Sequence, residues 1–411
     1  MQGHDFFVGI DWGYELHQAC LIDGQGETVA ERKFEHGKGL NDLSRWLQEQ
    51  MGDGLLAVAI ETPHGPVVET MMERGLAVYS VNPGQLDRFR DRLSPSGARD
   101  DRRDARVLAI SLRSDPHCFR KLKAHPAALA ELRELNRIEI GLAENRGRLA
   151  NQIRQALWRY YPQFIELDAD LSKTWLAELR AKAPTPEKAR RLRKHAVENL
   201  LKQHRIRRIN ASQVLKILKT PGFPVADGTV QAACASLEIA FQQLALINQQ
   251  HREINRTIET VIERLCESAE DETGHSWQRD VNLLSSILGI GHKILATLLS
   301  ESPDAWQRRD LQALPCLCGI APVTRQSGKS RLARRRLACN GLLRNASYHW
   351  ANIAIRHDPA SRDKHTALRD RGHSHARALR GVGDRLLPVA VKMLERQCEF
   401  DPQYRSYRQA A

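Results

Sequence analysis

The sequence predicts a mixed α/β domain at the N-terminus, a long helical middle and a helical C-terminal region. Three features indicate this. Short apolar runs alternate with helical spacing in the first third, Leu recurs at three- and four-residue intervals in the middle, and two apolar helices flank a glycine turn near residue 290. A chain of 411 residues is too long for one core. We place domain limits at residues 5–118, 119–275 and 276–411.

The first domain is expected to contain a sheet with helices on its faces. Residues 6–11, 16–23 and 28–34 have strand character, and Gly24-Gln25-Gly26 predicts a hairpin turn. Helical spacing over 40–51 and 67–74, the latter capped by Gly75, alternates with strands at 55–60 and 77–81, and a further helix follows. Three meandering strands followed by strand–helix units predict a mixed sheet, the order typical of the RNase H-like fold.

Four acids in this domain are candidate metal ligands and catalytic residues. Asp11 and Glu61 end predicted strands, where sites of open α/β sheets gather. Asp101 and Asp104 stand three residues apart on a predicted helix and share one face, whereas Asp100 points elsewhere. Clustered carboxylates suit Mg²⁺, with Mn²⁺ as an alternative, in phosphodiester chemistry. For Asp101 and Asp104 alone, the alternative is a solvated helix face paired with neighbouring arginines.

The middle of the chain is predicted to consist of long helices. Residues 127–164 have the spacing of an amphipathic helix, and residues 237–265 carry an apolar seam over four heptads that indicates a coiled coil. His251 is interpreted as a polar seam residue. The seam can pair within the chain or between two copies, which makes a dimer a hypothesis. The basic run 204–208 either contacts a phosphate backbone or forms a solvated helix face.

Residues 283–301 resemble a helix-hairpin-helix, in which two apolar helices flank the sequence Leu-Gly-Ile-Gly. Gly289 and Gly291 would let the backbone approach a phosphate, the start of the second helix would supply free N–H groups, and Lys293 would add charge. A plain pair of helices is the alternative.

Charge in the C-terminal third predicts a nucleic-acid contact. The chain has a net charge of +13, and residues 311–357 contain no Asp or Glu. Such one-signed charge favours a polyanion. Ser327 lies among these cations, which would stabilise the charge developing on a phosphate attacked by its hydroxyl. The Arg and Lys residues of this stretch are Arg325, Lys329, Arg331, Arg334, Arg335, Arg336, Arg344 and Arg356, of which the first six are the predicted nucleic-acid-binding residues.

These motifs together resemble the DEDD-type insertion-sequence transposases of the IS110 family, also called bridge recombinases. The resemblance rests on GID ending at Asp11, AIET with Glu61, RDDRRDA with Asp101 and Asp104, LGIG at 288–291 and GIAPVTRQSGKSRL around Ser327. It covers nearly the whole chain in order. Two departures are visible. Arg-Asp-Asp stands where the family commonly has Lys-Thr-Asp, and the serine loop is one residue shorter than in some relatives, so Ser327 is chosen over Ser330 because it precedes the glycine.

The resemblance implies a RuvC-like first domain whose four acids hold Mg²⁺. It implies that Ser327 is the nucleophile, forming a phosphoserine link to DNA, and that acids and serine of one site come from different protomers of a dimer or tetramer. It also implies a guide RNA encoded by the mobile element. We expect no membrane partner and a location in the bacterial cytoplasm, at the nucleoid, because no export signal or apolar span is visible and the eight cysteines are scattered.

Three alternatives stay open at this stage. A RuvC-like junction endonuclease would use the same acids with water in place of Ser327. An actin or sugar-kinase fold also opens with a similar strand, but Gly13 is followed by Tyr14-Glu15, without a hydroxyl-rich turn for nucleotide phosphates. A pure RNA- or DNA-binding protein would bind without Mg²⁺-dependent cleavage.

Overall fold

A computed structural model of the protein describes residues 3–93, 100–123, 125–267, 276–328 and 330–401. The chain divides into two compact units, Met1–Ala124 and His125–Ala411. Each unit is described by itself. The division of the second unit at residue 275, between the helical spacer and the C-terminal domain, stays a prediction.

The first unit is a mixed six-stranded sheet. Across the sheet the strands run in the order β3 (Thr28–Glu35), β2 (Leu16–Asp23), β1 (Phe6–Trp12), β4 (Leu56–Ile60), β5 (Ala77–Ser80) and β6 (Arg120–Lys121). β2 is antiparallel to both β1 and β3, β4 is parallel to both β1 and β5, and β6 is antiparallel to β5. The last strand extends the sheet past residue 118, the predicted end of the first domain. The elements are β1 (Phe6–Trp12), β2 (Leu16–Asp23), β3 (Thr28–Glu35), α1 (Lys38–Met51), β4 (Leu56–Ile60), α2 (Pro66–Glu73), β5 (Ala77–Ser80), α3 (Pro83–Leu93), α4 (Asp101–Ser114) and β6 (Arg120–Lys121), with a 3-10 turn at Pro116–Cys118.

Both faces of this sheet are covered, which explains why its central strands are apolar throughout. Alternate β1 residues pack in opposite directions: Val8 and Ile10 join the core beneath α1 and α2, whereas Phe7 joins the core beneath α3 and α4. The predicted mixed α/β architecture is confirmed, and the observed strand order fits an RNase H-like sheet.

The second unit is mostly helical. The longest helices, α5 (Ala127–Tyr160) and α10 (Asp227–Glu267), run antiparallel. Glu131 of α5 pairs with Arg264 of α10 at 2.5 Å, and Glu139 of α5 pairs with His251 of α10 at 2.8 Å. The helices of this unit are α5 (Ala127–Tyr160), α6 (Thr174–Lys182), α7 (Pro186–Arg190), α8 (Lys194–Gln203), α9 (Ala211–Leu218), α10 (Asp227–Glu267), α11 (Trp277–Ser285), α12 (His292–Glu301), α13 (Pro303–Gln307), α14 (Ala313–Leu317), α15 (Gly341–His357), α16 (Pro359–Asp370) and α17 (His375–Arg396), with a 3-10 segment at Pro162–Leu167.

The heptad seam of α10 packs inside its own chain. Leu237 and Leu244 lie in one hydrophobic cluster with the C-terminal half of α5, and Ile258 and Leu265 lie in a second cluster with its N-terminal turns. His251 is the polar seam residue expected, paired with Glu139. The seam therefore needs no second copy. One stretch of α10 is apolar enough to span a membrane by length and composition, a test that core helices also satisfy.

One expectation for the C-terminal third is corrected. The serine segment is not a loop but a β-hairpin, formed by β7 (Val323–Ser327) and β8 (Ser330–Arg334). Its strands were missed because almost every residue in them is exposed, so no alternation of apolar residues marks them. The last helix begins at His375, and its first turns pack Ala378 and Leu379 in the interior.

Candidate active site and nucleic-acid surface

Two of the four predicted acids meet at one edge of the first unit's sheet. Asp11 lies near the end of β1, and Glu61 follows β4 directly. These strands are parallel neighbours, and Ile10 of β1 pairs with Ile60 of β4. Each acid is the residue that follows this pair on its own segment. Both residues are half-buried. The sequence placed them at strand ends, and the parallel pairing explains why they share an edge.

Gly9 lets α4 lie directly on β1. A Cβ at this position would stand 1.9 Å from the carbonyl oxygen of Ala105 and 2.7 Å from the amide nitrogen of Ala109. Only a residue without a side chain allows a helix backbone to approach a strand this closely. Because this contact lies two residues before Asp11, it brings the first turn of α4 to the carboxylate edge.

The first turn of α4 supplies the other two acids. Asp100 is the N-cap, since its carboxylate accepts a hydrogen bond from the Arg103 amide at 2.9 Å. This explains why Asp100 points away from Asp101 and Asp104, as predicted. Carboxylates in the first helical turn are also stabilised by the free N–H groups of the helix start.

Arg90 of α3 binds Asp104 through both oxygens. Its Nε and Nη2 atoms donate to the Asp104 carboxylate at 2.6 and 2.7 Å, and its Nη1 donates to Asp87 at 2.6 Å. The side chains of Arg90 and Asp104 are 18% and 14% exposed, so solvent screens this pair little. The hydrogen bonds that Arg90 donates to Asp104 raise the pKa of Arg90 further. The guanidinium therefore offsets part of the negative charge at this edge.

The four acids interact electrostatically. Burial first, then the charges of Asp104, Asp101 and Glu61, raise the pKa of Asp11 to about 6, although Arg90 opposes the shift. Burial disfavours the charged carboxylate most, and the neighbouring negative charges add to this effect. The four predicted acids thus come together in one region of the first unit.

This region suits a divalent cation by its chemistry. Hard cations prefer carboxylate oxygens, and a positive ion would relieve the repulsion that raises the Asp11 pKa. Within the described part of the chain, no three side chains of a ligand type are close enough to hold an ion as they stand. Both oxygens of Asp104 already accept hydrogen bonds from Arg90, so this carboxylate is not available to an ion as it stands.

Ser327 lies at the tip of the hairpin in the second unit. It ends β7 and pairs with Ser330, the first residue of β8, across a turn in which Gly328 has a φ of +55°. Directly paired residues of two strands project from the same face, so both serines lie side by side. Both are exposed. The structure therefore brings the two candidate nucleophiles together without choosing between them.

Two arginines share the serine face of the hairpin. Since alternate residues face the same way, Arg325 and Arg334 accompany Ser327, whereas Arg331 lies on the opposite face. Lys329 lies outside the described residues. Arg335 and Arg336 follow the hairpin, and Arg336 donates to the carbonyl oxygen of Ala321 at 3.3 Å. Cations on both faces suit the hairpin to contact a phosphate backbone.

The glycine turn between α11 and α12 is occupied by protein contacts. Gly289 has a φ of +95°, and a Cβ there would stand 3.2 Å from Trp350 and 3.3 Å from the Ala354 amide, so this glycine serves packing against α15. Gly291 is the N-cap of α12 and faces open space. Lys293 forms an ion pair with Glu139. Of the three predicted phosphate contacts, only Gly291 is free of such engagement.

Two residues at this edge, Gly9 and Arg90, were not predicted from the sequence. A glycine inside a buried strand signals close backbone approach, so Gly9 could have been singled out. Arg90 carries no such signal, because its partner Asp104 lies on the next helix and only the tertiary fold joins them.

Two family models match the chain. Residues 8–162 match the DEDD transposase model of the IS110 type, and residues 281–366 match the model described as transposase IS116/IS110/IS902 family. The first match contains Asp11, Glu61, Asp101 and Asp104, and the second contains Ser327.

Curated relatives show the same similarity. The "Mini-circle putative transposase for IS117" of Streptomyces coelicolor is 31% identical over 97% of this chain and 95% of its own length. The "Putative transposase y4uE" of Sinorhizobium fredii is 48% identical over 50% of this chain, and the match spans 58% of that relative.

Proposed function

The chain belongs to the IS116/IS110/IS902 family of transposases, and on this premise we propose that it cuts and rejoins DNA strands of an insertion sequence with a carboxylate metal site and a serine nucleophile. The observation that carries the proposal is that the parallel register of β1 and β4 brings Asp11 and Glu61 to one sheet edge, while the close contact at Gly9 holds α4, with Asp101 and Asp104, against the same strand.

Asp11, Glu61, Asp101 and Asp104 would hold Mg²⁺, or Mn²⁺ in its place. When bound, such an ion polarises a phosphate and lowers the pKa of an attacking hydroxyl. Arg90 would have to release at least one oxygen of Asp104 for that residue to act as a ligand. The Arg90 guanidinium would then stay paired with Asp87, its second partner.

Ser327 would attack a DNA phosphate. Its Oγ–P bond would form as a P–O bond of the strand breaks, the serine proton would be lost, and the departing oxygen would end as a free DNA hydroxyl. The bond energy stays in the phosphoserine link, so a DNA hydroxyl can attack the link in reverse and rejoin strands. Arg325 and Arg334, on the same hairpin face, would stabilise the charge on the attacked phosphate.

The partners are DNA ends and target, and a guide RNA encoded by the mobile element. We propose a homodimer or homotetramer that acts in the bacterial cytoplasm, at the nucleoid. The support for a nucleic-acid partner is the net charge of +13 and the stretch 311–357 without acids. Since the α10 seam is buried against α5, any contact between copies must use other surfaces.

The test is a trapping assay on a denaturing gel. Protein, the element's RNA and labelled DNA ends are incubated with Mg²⁺, and wild type is compared with the Ser327→Ala, Ser330→Ala and Asp11→Ala variants. We expect a labelled band at protein size in wild type and Ser330→Ala only. Ser330→Ala is the matched control, because that serine stands opposite Ser327 on the same face.

Other results would overturn parts of the proposal. Nicked DNA without an adduct, unaffected by Ser327→Ala, would indicate a junction-type nuclease that uses water. An adduct lost in Ser330→Ala instead would move the nucleophile across the hairpin. DNA binding without any Mg²⁺-dependent cleavage would indicate a binding protein.

A further inference from the structure

A small pocket in the second unit is lined by three arginines from three segments. Arg335 follows the hairpin, Arg344 lies on α15 and Arg380 lies on α17. The pocket has a volume of about 130 Å³, enough for several water molecules and hence for a phosphate group. Tyr348 stands at its side, and Ile320 closes part of the lining.

These arginines have no carboxylate partner among the described residues. Every ion pair that the structure gives this unit involves other cations. Burial, followed by the charges of Arg335 and Arg377, lowers the pKa of Arg380. Like charges gathered at a partly buried place are costly unless an anion neutralises them.

A buried hydroxyl faces the same pocket. Ser347 is 4% exposed and lines the pocket, and its Oγ makes no hydrogen bond of normal geometry within the described residues. Its neighbour is the weakly polar thiol of Cys318: burial raises the pKa of this thiol to about 11, and the Ser347 hydroxyl opposes the shift. An unsatisfied buried hydroxyl requires an explanation, and a ligand oxygen would supply the missing acceptor.

The shape of the floor depends on one glycine. A Cβ at position 383 would stand 2.9 Å from Cδ1 of Ile320, so Gly383 of α17 lets Ile320 sit between the helix and the pocket. A long side chain at this position would displace Ile320, which lines the pocket. The arrangement is thus a recess with a defined floor rather than arginines scattered on a surface.

We infer that this pocket binds a single phosphodiester of a nucleic-acid strand, with Arg344 and Arg380 as its charged contacts and Ser347 as a hydrogen-bond donor. The inference deepens the proposed function, and it rests on that proposal only for nucleic acid as the source of the phosphate. DNA and RNA share this group, so the experiment tests both.

The experiment measures binding of labelled duplex DNA and of RNA of equal length to the full chain, by fluorescence anisotropy, between 50 and 200 mM salt. Each neutralised phosphate contributes about 0.9 to the slope of log affinity against log salt. The pocket neutralises one phosphate, so the Arg344→Gln/Arg380→Gln double variant should lower the slope on duplex DNA by about 0.9, and its affinity should fall about three- to fourfold less over this range. Each single variant should lower the slope by part of this amount. The nucleic acid whose slope changes identifies the strand that is bound.

Matched variants separate the pocket from general charge and from misfolding. Arg252→Gln removes an exposed arginine of α10 and should change the slope less. Arg380→Lys keeps the charge and should retain the slope. Ser347→Ala should weaken binding severalfold with an unchanged slope, since it removes no charge. Circular dichroism and the melting temperature verify folding.

Equal slopes in wild type and both Gln variants, or an equal loss in Arg252→Gln, would overturn the inference. Failure of the proposed chemistry is distinguishable. Ser327→Ala should abolish the covalent adduct and leave the slope of log affinity against log salt unchanged. A slope change without any adduct in wild type would retain the pocket and reject the serine mechanism.

Discussion

Gly9→Ala tests whether close packing of α4 on β1 assembles the acidic site. The added Cβ would stand 1.9 Å from the Ala105 oxygen, and ordinary contact begins at 3.4 Å, so strand and helix must separate by about 1.5 Å. The obstructing atoms include helix backbone, which cannot rotate away as a side chain could. Overpacking of this kind costs about 1–3 kcal/mol, and we expect about 3 kcal/mol here.

The consequence should reach the acids that α4 carries. A shift of about 1 Å can reduce catalysis about a hundredfold. We therefore expect faster hydrogen exchange in Asp101–Ser114, a lower urea midpoint and weaker Mn²⁺ binding by calorimetry. Gly24→Ala is the control in the same unit, since its Cβ would lie 3.7 Å from its nearest neighbour, and its effect should stay within about 0.5 kcal/mol. A Gly9→Ala protein with wild-type stability and Mn²⁺ affinity would refute the reasoning.

Three further predictions concern charge and backbone conformation. Because the folded pKa of Asp11 is raised to about 6, its charge destabilises the metal-free protein above that pH. The melting temperature in EDTA should therefore rise from pH 7 to pH 5, and Asp11→Asn should remove this contribution; an unchanged pH dependence would contradict it. Arg90→Gln should lower the free energy of unfolding in urea by up to about 3 kcal/mol without metal, and by less in Mg²⁺. Arg92→Gln removes an exposed ion pair on the same helix and should lower it by less than about 1 kcal/mol. Gly289→Ala should destabilise by about 1–3 kcal/mol through its φ of +95° and its contact with α15. Gly291→Ala should cost less, about 0.5 kcal/mol, because it changes only the N-cap of α12. The reverse order in the same assay would indicate that the turn is not a packing element.

The first unit could be predicted almost completely because its local patterns and its tertiary structure agree. Central strands buried on both faces are continuous apolar runs, and amphipathic helices separate them, so element type and order follow from short stretches of sequence. The hairpin that carries Ser327 was missed for the opposite reason. Its residues are almost all exposed, so no alternation distinguishes strand from loop.

The sequence predicts which four acids lie at this edge, but it does not predict the charges and contacts around them. Asp11, Glu61, Asp101 and Asp104 follow from strand ends and helical spacing. That Arg90 binds Asp104, and that Gly9 admits the helix backbone, depends on which elements pack together. Spacing within one segment carries no information on such contacts.

Periodicity, strand-end position and charge are properties of consecutive residues, so the amino-acid sequence alone predicts the mixed sheet, the long helices, the four acids and the basic C-terminal stretch. Three contacts could not be predicted in this way: the α10 seam pairs with α5 of the same chain, Lys293 is bound to Glu139, and Arg335, Arg344 and Arg380 line one pocket. Each of them joins residues far apart in the chain, and the packing of whole helices sets their pairing.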